Sequence, residues 1–126
     1  MTLDETEALR EELRGSRLQP NARPSDGRIL DALRTFYEGG SVFLVLTATP
    51  EQFEDVYRIL VDDLAVLGFE LSRRDESPTP QNVEVFSVAE YEALVSSDHR
   101  EEIKIALEVA RSLLAGEGAG SAERAS

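Results

Sequence analysis

Thr49-Pro50-Glu51-Gln52-Phe53-Glu54-Asp55-Val56-Tyr57-Arg58-Ile59-Leu60-Val61-Asp62-Asp63-Leu64-Ala65-Val66-Leu67-Gly68 is the stretch on which the fold turns. Thr49 is a good helix N-cap, Pro50 stands where a missing N–H costs nothing, and Gln52 completes a capping box. At ~100° per residue, Phe53, Val56, Tyr57, Leu60, Leu64 and Leu67 share one arc, while Glu51, Glu54, Asp55, Arg58 and Asp62 share the opposite one. The pattern predicts an amphipathic helix over 53–67, with Gly68 as its left-handed exit.

On either side lie strand signals. Val42–Leu46 is an unbroken apolar run, too short for a buried helix and suited to a strand covered on both faces. Phe69–Arg73 and Val83–Ser87 alternate apolar and polar residues, as half-buried strands do. The polar loop Asp75–Asn82, with Pro78 and Pro80, makes them an antiparallel hairpin. The expected core is therefore strand–helix–strand–strand (βαββ). This is an α+β fold with a three-stranded sheet, which resembles a ferredoxin-like plait lacking its last strand. A right-handed crossover would set Val83–Ser87 between the other two strands, with the helices on one face.

Helices flank this core. Thr2 and Glu5 cap a short helix over Thr2–Arg14, and Arg17–Asp26 reads as a linker. Gly27–Glu38 forms a second helix with Ile29, Leu30, Leu33, Phe36 and Tyr37 on one face, stopped by Gly39-Gly40. Ser87 with Glu90, and Asp98 with Glu101, cap two more, the last spanning His99–Ala115. The apolar arc of that last helix spans ~200°, too wide for a helix with its back in water. Either it is wedged between elements or its spare face meets another chain. The expected organisation is a helix and linker at 1–26, one domain at 27–115, and a disordered tail at 116–126.

Composition narrows function. The chain has 126 residues, 25 acidic against 13 basic, and a formal charge of −12. Such a surface repels phosphate backbones and anionic lipid heads, which argues against direct nucleic-acid or membrane binding and favours a basic protein partner. Cysteine is absent, so disulfides, thiol catalysis and Cys-based zinc sites are excluded. No apolar run approaches the ~20 residues of a membrane span, and Met1–Glu5 lacks the order of a signal peptide, so the expected address is cytoplasmic.

No residue set points to catalysis, a metal or a cofactor. His99, beside Asp98, has no nucleophile defined near it and reads as a surface residue at a helix cap. Asp62-Asp63, with Asp55 and Glu51, reads as a solvated face paired to Arg58. The turn Thr47–Pro50 would repel an anion, because Glu51, Glu54 and Asp55 occupy the helix start. Arg73-Arg74, with Arg17, Arg23 and Arg28, is the candidate anion-binding spot for a carboxylate or phosphate. Ser77-Pro78 and Thr79-Pro80 read as loop. Were the chain an enzyme, His99 and the hydroxyls of Tyr37, Tyr57 and Tyr91 would be its acid–base groups.

The expected function is that of a non-catalytic protein acting through protein contacts: an adaptor, inhibitor or assembly subunit. Leu3, Leu9, Leu13, Ile105, Val109 and Leu113 are the candidate partner-binding residues. An open sheet edge and the wide last helix point to a homodimer. The alternative is a regulatory domain that senses a small molecule between paired plaits.

Overall fold

Residues 54–72 form a β-hairpin, not a helix. The computed structural model describes residues 2–125, and their side chains as far as residue 116. Strands β1 (Phe43–Pro50), β2 (Glu54–Val61), β3 (Ala65–Ser72) and β4 (Gln81–Ser87) form one antiparallel sheet in the order β1-β2-β3-β4. Helices α1 (Leu3–Gly15) and α2 (Pro24–Arg34) precede it; α3 (Val88–Leu94) and α4 (Ser97–Ala125) follow. The α+β class holds, and so does the antiparallel pairing of the strands around the proline loop. The three-stranded βαββ plait does not. The sheet has four strands, none parallel, and β4 lies at its edge rather than between two others.

The hairpin turn is held by a contact between residues far apart in sequence. Asp62, in the β2–β3 turn, adopts a left-handed φ of 52°, which aspartate tolerates. Its Oδ1 accepts the N–H groups of Ser41 (2.9 Å) and Val42 (2.8 Å), and its own N–H donates to the Val42 carbonyl at 2.7 Å. The turn is thereby fastened to the entry of β1. The flanking residues Val56, Tyr57, Ile59, Val61, Val66 and Phe69 are β-branched or aromatic and suit a pleated surface. Thr49 and Pro50 end β1, an edge strand where proline is tolerated. Glu51 N–H closes the next turn on the Glu54 carbonyl at 2.8 Å.

Both faces of the sheet are buried, which is why Ile59-Leu60-Val61 shows no alternation. On one face Phe43, Tyr57, Ile59, Leu67, Phe69 and Leu71 pack with Leu18 and with Ile29, Leu30 and Leu33 of α2. The Phe36 and Phe69 rings meet edge-on, 5.4 Å between centroids. On the other face Val42, Leu44, Leu60 and Val66 pack with Leu13 of α1 and with Ile103, Ala106, Val109 and Ala110 of α4. The helices thus cover both faces, not one.

Residues 2–26 contact both the sheet and α4. Thr2 Oγ1 caps α1 by accepting Glu5 N–H at 3.2 Å, and Arg10 of α1 pairs with Glu108 of α4 at 3.0 Å. The segment after α1 runs along β1, with Leu18 N–H donating to the Phe43 carbonyl at 2.9 Å. Buried Asp26 then accepts Gln19 N–H (3.2 Å) and two Arg23 guanidinium N–H groups (3.0 and 3.1 Å). Arg23 also donates to the carbonyls of Gly15 and Arg17. Proline at the first position starts α2 three residues earlier than glycine would.

Ser87 Oγ accepts Glu90 N–H at 3.1 Å, as the capping-box spacing predicts. Helix α4 is wedged against α1, α3 and β1, which accounts for its wide apolar arc. The tail expected over 116–126 falls, past Gly116, on residues whose side chains lie outside the described ones.

Candidate functional site

The two edges of the sheet are treated differently. Along Phe43–Val45 of β1, residues 16–18 act as a cover: Arg17 bridges Leu44, Leu18 bonds Phe43, and Ser16 Oγ accepts Val45 N–H at 3.2 Å; the rest of β1, Leu46–Pro50, has no such cover among the described residues and ends in a proline. Along β4, no backbone hydrogen bond reaches the outer side among the described residues. Every β4 residue is exposed except half-buried Phe86. Val83 and Val85, at 40% and 51% exposure, share the sheet face on which Leu67 lies opposite Val85.

The other face of this edge is acidic. Beyond the reach of α1, α3 and α4, Glu51, Val56, Arg58, Glu70, Asn82 and Glu84 line a shallow hollow of about 210 Å³. The carboxylates of Glu51, Glu54 and Glu70 lie within 4.8 Å of one another, and the Asn82 amide donates to Glu70. Arg58 crosses β3 over Gly68 to reach Glu84 at 3.5 Å, and its guanidinium lies 5.9 Å from the centre of the Phe86 ring. A Cβ at position 68 would stand 1.7 Å from Arg58 Nη1, so the glycine makes room for a side chain rather than for a helix exit. Tyr91 sits beside this cluster. Burial pushes its hydroxyl above the ordinary tyrosine value, and the nearby Arg58 charge partly offsets the rise.

The candidate contact residues read from the sequence do not form one surface. Leu13, Ile105 and Val109 are in the chain's own core. Leu9 and Leu113 are half-buried against that core, and Leu3 is exposed in the first turn of α1. Of the candidate anion site, Arg73 is occupied internally: it holds the Asp55 carboxylate at 2.7 Å and the carbonyls of Glu51, Gln52 and Glu54. Arg74 lies over the Phe53 ring at 3.9 Å. Arg23 is committed to Asp26, and Arg28 donates to the Ser72 and Asp75 carbonyls. His99 Nδ1 meets Ser96 Oγ at 2.8 Å. Tyr57 and Tyr91 lie on opposite faces of the sheet. The acidic residues once grouped on a helix face are dispersed: Asp55 pairs with Arg73, Asp63 with Arg111, and Asp62 holds the turn.

Val83, Glu84 and Val85 are the residues that the sequence reading missed. Their alternation was legible as a strand; their place at an open edge was not, because it depends on the β2–β3 hairpin. No protein-family model matches the chain, no curated protein matches it, and no solved structure matches it.

Proposed function

We propose that this chain is a non-catalytic protein-binding domain, an adaptor, inhibitor or assembly subunit, which meets a basic protein partner on the β4 side of its sheet. The observation that carries this reading is the outer side of β4, which presents unpaired backbone along its length beside exposed valines, whereas β1 is covered over Phe43–Val45 by the chain itself and ends in a proline. Unpaired edges are templates for pairing, and proteins that do not use them tend to blunt them. A charge of −12 supports the choice of a basic partner. A cytoplasmic address and the avoidance of phosphate backbones belong to the same reading; no helix among the described residues is long and apolar enough to cross a membrane. The alternative of ligand sensing between paired plaits loses its analogy, since the sheet is an antiparallel meander.

The test is photo-crosslinking in the native cell. A crosslinking residue at position 85 should trap a discrete protein adduct, and one at Arg34, on exposed α2 surface, should not. Absence of any adduct at 85 overturns the reading.

A further inference from the structure

We infer that β4 accepts an extended segment of the partner as a fifth strand, and that this segment alternates apolar with basic residues; the inference rests on the protein-binding reading above. An incoming strand would satisfy the outward N–H and C=O groups of residues 81–87, for which no other partner exists among the described residues. Side chains of neighbouring strands lie side by side on each face, with a period of two. Residues of the incoming strand beside Val83 and Val85 would therefore extend the apolar face. Residues between them would lie beside Glu84 and near Glu70, whose neighbours Glu51 and Glu54 add to the negative field. Glu84 is also the partner of Arg58 at 3.5 Å, so lysine or arginine at those positions would share its carboxylate, and the −12 charge draws such a segment to the edge. A second copy of this chain fits less well. Pairing centred on Glu84 opposes two carboxylates, and any register brings two chains of −12 edge to edge.

The test uses the full chain with a short peptide that alternates valine and lysine, and a matched peptide with glutamate for lysine. Binding is followed by fluorescence anisotropy, and amide exchange is read residue by residue. The lysine peptide should slow exchange at outward amides of residues 82–86, bind more weakly as salt rises, and bind at least about tenfold more tightly than the glutamate peptide. Val85→Lys should weaken it by about tenfold with the melting temperature unchanged, since the residue is exposed. Equal binding of the two peptides, no binding, or binding that leaves β4 amides exchanging freely overturns the inference. So does sedimentation that shows a dimer broken by Val85→Lys. If a partner crosslinked at position 85 leaves β4 exchange unchanged in its complex, strand addition fails while the protein-binding reading survives; if nothing crosslinks, both fail.

Discussion

The Arg58 guanidinium reaches the Glu84 carboxylate across a glycine, 3.5 Å from Nη2 to Oε1. The two residues stand on strands that do not touch, and Gly68 is the residue between them in the register of both pairings. Gly68→Ala therefore pushes the end of a flexible side chain rather than backbone. The ion pair is partly exposed and is worth only ~0–1 kcal/mol, so stability should change by less than about 1 kcal/mol. The readout is Tyr91: with the Arg58 charge moved away, its hydroxyl should ionise at still higher pH in an absorbance titration. An unchanged titration would contradict the placement of Arg58.

Leu60 and Leu64 separate a hairpin from a helix. A helix over this stretch puts both on one buried face, whereas in the hairpin Leu60 is 0% exposed and Leu64, in the turn, is 64% exposed. Leu60→Ala should cost ~2–5 kcal/mol in urea denaturation, and Leu64→Ala less than about 0.5 kcal/mol. Equal losses would restore the helix.

Much of the architecture was legible. Val42–Leu46, Phe69–Arg73 and Val83–Ser87 overlap β1, β3 and β4, and the Thr2 and Ser87 caps stand where their spacing puts them. Residues 53–67 were not legible, for two physical reasons. A sheet buried on both faces shows apolar residues in succession, and over a short window that succession also satisfies a period of 3.6. The contact that decides between the two is the Asp62 carboxylate on the Ser41 and Val42 N–H groups, which lies far away in sequence. The surroundings of the candidate site residues follow from that hairpin. Arg73 looked available for an anion because the carbonyls that occupy it exist together only when residues 51–54 form a turn. Ile105 and Val109 looked spare because the sheet face they cover was not yet in place.

Arg23 is a second fastening, between the end of α1, the segment along β1, and α2. Its partner Asp26 is 1% exposed, so Arg23→Ala leaves a buried carboxylate with the Gln19 N–H as its one remaining donor among the described residues. The loss should be ~1–3 kcal/mol, above that of the exposed pair Lys104–Glu101, whose removal should cost ~0–1 kcal/mol. Thermal melts of the two alanine variants make the comparison. Equal, small losses would mean that Arg23 is not the clamp described.

Alkaline pH should weaken the fold through the phenols of buried Tyr57 and half-buried Tyr91. Burial, reinforced by Asp55, raises the Tyr57 hydroxyl, and burial raises that of Tyr91. A folded value above the unfolded one means that this contribution is complete below about pH 10 and is lost as pH rises through the folded values. Melting temperature should fall over that range, and Tyr57→Phe should lessen the fall. A variant that falls as steeply as the parent would contradict the assignment.

β4 is an open edge of an antiparallel meander, and residue-resolved amide exchange of the free protein tests this most directly. Protection is expected at consecutive amides through the paired core of β2 and β3, and at every second amide from Glu84 to Ser87, where the β3–β4 register is unbroken and only one side is paired. Helical proton–proton contacts through residues 53–67, or uniform protection along β4 in the free chain, would contradict it.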